Sequence, residues 1–217
     1  MIEGFDPYKS MRQLMVEKQL RERGISRLEI LDVMGKVQRH LFVPPEDASE
    51  AYSDVAIPIG CDQTLSRPYI VALMADVLSL SPLDRVLEIG CGSGYAATVL
   101  SYLCHDVLSI ELETTLADLS RETLEANFPS QSIEVITGNA LSMTSLGLFD
   151  AISVTASCPQ LPNHLLQFLK PGGRMVIPIG DTSSSQLLTL IHKLNDGTIV
   201  TRDLCRVNFV PLKPIAA

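Results

Sequence analysis

Apolar residues change their spacing several times along the second half of the chain. Short apolar runs alternate with segments in which apolar residues recur every three or four positions, a pattern typical of strands alternating with helices. Two further apolar runs, 187–192 and 204–210, have no helix between them and predict an antiparallel pair at a sheet edge. We expect the other strands at 85–89, 107–110, 133–136, 151–154 and 174–177, and helices at 94–104, 114–128 and 161–169. The pattern therefore predicts an α/β fold with a doubly wound, mostly parallel, seven-stranded sheet of Rossmann-like type.

The first 80 residues follow a different pattern. Apolar residues have helical spacing within 11–20 and 30–34, and Gly24 separates the two runs. Residues 51–68 are irregular and rich in turn formers. A helix is expected at 69–80, with Pro68 in its first turn and Ser66 close to its N-cap.

We expect one domain over residues 1–217, with two parts. Residues 1–80 form a helical cap and a loop, and residues 81–217 form the sheet. The cap and loop should cover the carboxyl ends of the strands, which is where ligands bind in such sheets.

Composition and charge exclude several classes of protein. The 217 residues carry 17 basic and 25 acidic side chains, a formal charge of −8, and such a surface disfavours electrostatic capture of nucleic acid. No apolar stretch approaches the length of a membrane span or a signal peptide, so we expect a soluble, cytoplasmic protein without membrane partners. The five cysteines are scattered and are expected to be reduced thiols. The four histidines are isolated, so no metal site is expected.

A glycine-rich turn follows the first strand of the second half. It reads Glu-Ile-Gly-Cys-Gly-Ser-Gly over residues 88–94, and its glycines allow a tight turn and close approach of a ligand. The dinucleotide fingerprint spaces its third small residue differently. Glu88 would repel a pyrophosphate and attract a cationic ligand, and Glu111, at the end of the next strand, can accept hydrogen bonds from both ribose hydroxyls. A nicotinamide dinucleotide, or a turn with no ligand, remains a weaker alternative.

This turn resembles the S-adenosyl-L-methionine site of class I methyltransferases. The resemblance implies that the turn wraps the methionine and ribose parts of that cofactor, with contacts from Glu88, Gly90, Cys91, Gly92 and Gly94. It also implies that Glu111 holds the ribose. Asn139 and Ala140, after the third strand of the sheet, fall where such enzymes hold the adenine; Asn139 could equally be a residue of a tight turn.

Several other segments resemble protein-L-isoaspartate O-methyltransferases, and together they run from about residue 11 to 212. They are Val-Gln-Arg-His-Leu-Phe-Val (37–43), Ala-Tyr-Ser-Asp (51–54), Ile-Pro-Ile-Gly (57–60), Gln-Thr-Leu-Ser-Arg-Pro (63–68) and Val-Asn-Phe-Val-Pro-Leu (207–212). The resemblance implies methyl transfer to the α-carboxylate of L-isoaspartyl residues, which repairs aged proteins. It places the catalytic Ser66 at the acceptor carboxylate, Thr64 and Leu65 in the substrate pocket, and Val207 and Phe209 along the substrate backbone.

The chemistry fits a site without a general base. A carboxylate with a pKa near 3.9 is already ionised at neutral pH, so the remaining task is to align the acceptor oxygen with the donor methyl group. We expect a monomer that takes isoaspartyl proteins or peptides as substrate. Transfer to another carboxylate or small molecule, or cofactor binding without catalysis, stays open, and Asp54 is expected either to anchor its loop or to lie near the site.

Overall fold

The computed structural model describes residues 6–213. A small hairpin precedes a seven-stranded sheet, and helices cover both faces of that sheet. The strands are β1 Ile57–Gly60, β2 Gln63–Leu65, β3 Arg85–Ile89, β4 Asp106–Glu111, β5 Ile133–Thr137, β6 Phe149–Val154, β7 Leu169–Ile179, β8 Gln186–Lys193 and β9 Ile199–Val207. The α-helices are α1 Lys9–Met15, α2 Leu28–Lys36, α3 Pro68–Leu78, α4 Tyr95–Ser101, α5 Thr114–Asn127 and α6 Asn163–Leu166.

The sheet has the order β5-β4-β3-β6-β7-β8-β9. Strands β5, β4, β3, β6 and β7 are parallel, and β8 and β9 join β7 as antiparallel neighbours. The predicted α/β class, the doubly wound parallel core and the antiparallel edge are therefore confirmed.

The central strands are mostly apolar because both faces of the sheet are buried. In β3, Val86 packs into the core on the side of the N-terminal helices, whereas Leu87 packs into the core on the opposite face. Adjacent side chains of a strand point to opposite faces, so both must be apolar. No helix among residues 6–213 is long and apolar enough to span a bilayer.

The segment that was expected to be irregular contains a hairpin. Strands β1 and β2 pair antiparallel around a two-residue turn at Cys61 and Asp62, whose φ angles are 51° and 58°. Positive φ at both central residues is the geometry of the type I′ turn, whose usual signal is Asn-Gly or Asp-Gly. Because no glycine stands at either position, the sequence pattern concealed the hairpin.

The expected helix at 161–169 was too long. Helix α6 ends at Leu166, and β7 already begins at Leu169, which is fully buried and pairs with Phe149. The pairing of β7 with β6 resumes at Arg174. The Pro-Gly-Gly sequence at 171–173 lies between these two pairings and therefore forms an irregularity within the strand.

Candidate active site

A cavity opens at the carboxyl ends of β3, β4, β5 and β6, with a volume of about 1100 Å³ including its mouth. The turns that follow those four strands supply much of its wall, and β2 with the start of α3 supplies another part. Parallel sheets bind ligands at this edge. The cavity is therefore the candidate active site.

The glycine turn after β3 forms one wall. Gly90 and Gly92 have φ angles of 94° and 56° and line the cavity with Cys91. A Cβ atom at Gly90 would lie 2.3 Å from Oγ1 of Thr155, so glycine is required there on steric as well as conformational grounds. Gly94 lies off the wall: a Cβ atom there would contact Ser120 of α5 at 3.4 Å. Gly94 thus allows the turn to pack closely on α5.

Glu111, at the end of β4, closes the turn from the other side. Its Oε2 accepts a hydrogen bond from the Gly92 amide at 2.7 Å, and its Oε1 accepts one from the Glu113 amide at 2.9 Å. The residue is 6% exposed and lines the cavity. Each carboxylate oxygen has two lone pairs, so both oxygens can still accept a hydroxyl donor from the cavity.

Glu88 was expected to attract a cationic ligand by contact, but it does not line the cavity. It lies one residue before the end of β3, fully buried, and pairs in register with Ser109 and Ser153 of the neighbouring strands. The Ser109 hydroxyl donates to its Oε2 at 2.5 Å, whereas Oε1 has no partner among the described residues. Burial raises the pKa of Glu88 to about 8, partly offset by the Ser109 hydrogen bond. The side chain is therefore mostly uncharged at neutral pH.

Asn139 and Ala140 line the cavity after β5, as expected from their place in the sequence. The Asn139 Oδ1 accepts the Leu141 amide at 2.9 Å, and its Nδ2 donates to the Lys213 carbonyl at 3.4 Å. Asn139 thus stabilises a tight turn through its bond to the Leu141 amide. Its position on the cavity wall is the observation behind a contact of Asn139 with a ligand.

Thr64, Leu65 and Ser66 line the opposite wall. Arg67, not Ser66, is the N-cap residue of α3, and no side chain caps that helix. The Ser66 hydroxyl makes no hydrogen bond to any described residue. It is therefore available to a ligand in the cavity.

Arg39 fixes the backbone of this wall. Its fully buried guanidinium donates to the carbonyls of Ala51 and Ser66, each at 2.7 Å, and lies 4.8 Å from the ring centre of Tyr95. Tyr95 is the first residue of α4, directly after the glycine turn. One arginine thus connects the Ser66 wall to the helix that carries the glycine turn.

Val207 and Phe209 do not line the main cavity. They line a second pocket of about 380 Å³ including its mouth, which shares Thr64, Ser66, Thr155 and Val210 with the main cavity. The two spaces therefore adjoin at Ser66.

Sequence reasoning assigned no role to Thr155, which follows β6 directly. Its hydroxyl donates to the Gly90 carbonyl at 2.6 Å, and its side chain lines both spaces. Thr155 could have been predicted from its position, because ligands bind at the carboxyl ends of the strands in such sheets. The sequence also carried no signal for the ion pair of Lys213 with Glu113, which joins two segments of the cavity wall.

Two acidic residues of the first 80 lie away from the cavity. Asp54 forms an ion pair with Arg23 at 2.7 Å, which anchors its loop to the N-terminal helices, and Asp62 is exposed at the hairpin tip. All five cysteines are free thiols. Within residues 6–213, no cluster of histidine, cysteine and carboxylate side chains could hold a metal ion.

Comparison with known proteins agrees with this geometry. The family model described as protein-L-isoaspartate(D-aspartate) O-methyltransferase matches residues 10–215. A protein-L-isoaspartate O-methyltransferase of Herpetosiphon aurantiacus is 44% identical over 208 residues, covering 95% of this chain and 92% of the relative. The enzyme of that name from Trichlorobacter lovleyi is 46% identical over 202 residues, covering 93% of this chain and 92% of the relative.

One crystal structure is similar to this chain in both fold and sequence. It is that of a Plasmodium falciparum protein described as a protein-L-isoaspartate O-methyltransferase, in complex with S-adenosyl-L-homocysteine. The TM-score is 0.83 at 28% identity, covering 93% of this chain and 98% of the other. With the family match and the relatives of over 40% identity, the chain belongs to the protein-L-isoaspartate O-methyltransferase family.

Proposed function

We propose that the chain transfers a methyl group from S-adenosyl-L-methionine to the α-carboxylate of L-isoaspartyl residues in damaged proteins. The observation that carries this proposal is that the glycine turn, Glu111 and Ser66 line one cavity. The names of the relatives that match nearly the whole chain support the same reaction.

The cavity wall fits the cofactor. Gly90 and Gly92 leave space where side chains would project, and Glu111 supplies an acceptor suited to a ribose diol. Asn139 and Ala140, beside the exposed Leu112, supply an amide and apolar surface suited to a purine. When bound, the cofactor supplies an electrophilic methyl group on a sulfonium. Glu88, buried behind the turn, would support the packing of the turn rather than contact the cofactor.

Ser66 is the residue that we assign to the acceptor. Its hydroxyl is not bonded within the described chain, and Arg39 holds its carbonyl at 2.7 Å, so the hydroxyl is presented from a fixed backbone. A single neutral donor orients a carboxylate oxygen without removing much of its nucleophilicity. The carboxylate is ionised at neutral pH, so the site needs no base.

Orientation is then the main contribution of the protein. Holding two reactants in line, with water excluded, can supply ~7–11 kcal/mol of the barrier. Thr64 and Leu65 shape the acceptor side of the cavity, and Val207 and Phe209 in the adjoining pocket are placed to contact the substrate backbone. The methyl ester product closes to a succinimide as methanol leaves, and hydrolysis of that ring returns part of the residue as normal aspartate.

The remaining expectations are proposals of the same kind. We assign residues 1–80 to the cap and substrate loop and residues 81–217 to the cofactor-binding sheet of a single domain. The substrate is an isoaspartyl protein or peptide, and the net charge of −8 disfavours nucleic acid as a partner. We further propose a cytoplasmic monomer; its five free cysteines agree with a reducing compartment.

The test is transfer of a tritiated methyl group to a peptide containing one L-isoaspartyl residue, beside the aspartyl peptide of the same sequence. We expect base-labile label on the isoaspartyl peptide alone. Equal label on both peptides, or label on neither while the cofactor binds tightly, would overturn the proposal.

A variant pair tests the assignment of Ser66. Ser66→Ala should lower kcat about tenfold, the value of one hydrogen bond of about 1.4 kcal/mol, with unchanged cofactor affinity. The control is Ser53→Ala, a half-buried serine within residues 51–68 that lies outside both pockets and donates to Glu50, and it should leave kcat unchanged. Equal activity of the two variants would remove Ser66 from the mechanism.

A further inference from the structure

The second pocket carries one charge. Of the ten described residues that line it, Arg67 is the only ionisable one apart from hydroxyl groups. The rest of the wall is apolar or neutral, with Asn208 and Phe209 among its members. The pocket meets the main cavity at Ser66, so a peptide whose isoaspartyl carboxylate is held at Ser66 can extend a neighbouring side chain into it.

Arg67 has no partner within the described chain. Its side chain makes no hydrogen bond, ion pair or ring contact to residues 6–213, although it is only partly exposed. It also stands at the N-cap of α3, where the helix dipole disfavours a cation. No hydrogen bond or ion pair with the described chain therefore accounts for the charge of Arg67.

Neighbouring charges do not neutralise it. Arg23, which lies nearby, is itself a cation and holds Asp54 in an ion pair at 2.7 Å. Asp62 is at the exposed hairpin tip, where its field acts on Lys213. The pocket is therefore positive on a chain whose net charge is −8.

From these contacts we propose that Arg67 makes the site select isoaspartyl peptides with an acidic side chain beside the isoaspartyl residue. The guanidinium would form a charge-assisted hydrogen bond with that carboxylate, in a pocket that contains no competing anion among its described residues. This inference rests on the proposed function and adds a specificity determinant to it.

The experiment compares kcat/KM for isoaspartyl peptides that differ only in one flanking residue, glutamate, glutamine or lysine, placed in turn on each side. For the unaltered chain we expect glutamate to exceed glutamine by about fivefold on at least one side, as for a partly exposed ion pair, and lysine to be the poorest. The preference should shrink as the salt concentration rises.

Three variants assign the preference to Arg67. Arg67→Gln should abolish it and Arg67→Glu should invert it toward lysine. Arg202→Gln removes an exposed arginine of β9 outside both pockets and should leave it unchanged. Equal rates for all flanking residues, or the same preference in Arg67→Gln as in the unaltered chain, would overturn the proposal.

The outcomes separate this inference from the proposed function. If no isoaspartyl peptide is methylated, the function fails. If all are methylated at equal rates, only the role of Arg67 fails.

Discussion

Glu88 provides a quantitative test of the buried wall behind the glycine turn. Its carboxyl group is fully buried, and burial raises its pKa from 4.5 to about 8. The unfolded chain ionises Glu88 near pH 4.5, whereas the folded chain keeps it protonated up to about pH 8. Folding therefore binds a proton between these values, and the free energy of unfolding falls as pH rises through that window.

The magnitude follows from the pKa difference. One pKa unit corresponds to 1.36 kcal/mol, so the loss reaches about 5 kcal/mol above pH 8 and is absent below pH 4.5. Glu88→Gln removes the titration and keeps the shape and an acceptor for Ser109. The stability of Glu88→Gln relative to the unaltered chain should therefore increase by about 1.4 kcal/mol per pH unit between pH 5 and 8.

Urea unfolding at several pH values from 5 to 9 measures this difference. Any constant cost of placing the amide in the site cancels, because only the change with pH is compared. Thr201→Ser, at an exposed position of β9 that carries no ionisable group, is the control and should show a difference that does not vary with pH. A flat difference for Glu88→Gln as well would refute the assignment of a protonated, buried carboxyl group at this position.

Three more substitutions or measurements test other parts of the wall. Gly90→Ala should destabilise the chain by about 1–3 kcal/mol, because the new Cβ would lie 2.3 Å from Thr155 Oγ1. It should also weaken the binding of S-adenosyl-L-homocysteine measured by calorimetry. Unchanged affinity would contradict the position of the turn. Glu111→Gln should weaken the binding of S-adenosyl-L-homocysteine about tenfold, because an amide cannot accept hydrogen bonds from both the Gly92 and the Glu113 amides. Affinity within twofold of that of the unaltered chain would argue against a ribose contact. With a thiol reagent at pH 8, peptide mapping should show early labelling of the exposed Cys61. Cys91 should react only on unfolding, because burial raises the pKa of its thiol to about 12. Early labelling of Cys91 would contradict its burial.

The fold could be predicted from the sequence where the signal is local and repeated. The central strands are mostly apolar because both faces of the sheet are buried, and the predicted strand at 85–89 has the same bounds as β3. The type I′ turn at Cys61 and Asp62 could not be predicted, since neither central residue is the glycine that usually marks such a turn. The start of β7 also escaped prediction, because it depends on the pairing of Leu169 with Phe149 of β6, which is distant in sequence.

The site could be predicted to the level of segments, but not of side-chain direction. The residues from the glycine turn, the end of β4 and the Gln-Thr-Leu-Ser-Arg-Pro segment do meet in one cavity. The motif does not reveal that Glu88 is buried between strands or that Gly94 packs on α5, since both depend on tertiary contacts. Thr155 and the Arg39 contact with Ser66 involve partners distant in sequence.

The central claim is that donor and acceptor meet between the glycine turn and Ser66. A crystal structure of the chain with S-adenosyl-L-homocysteine and an isoaspartyl peptide tests it most directly. We predict ribose hydroxyls on the Glu111 carboxylate, and one oxygen of the isoaspartyl α-carboxylate within hydrogen-bond distance of the Ser66 hydroxyl and facing the cofactor sulfur. A peptide carboxylate bound away from Ser66, or a cofactor sulfur remote from the Thr64–Ser66 wall, would contradict the account.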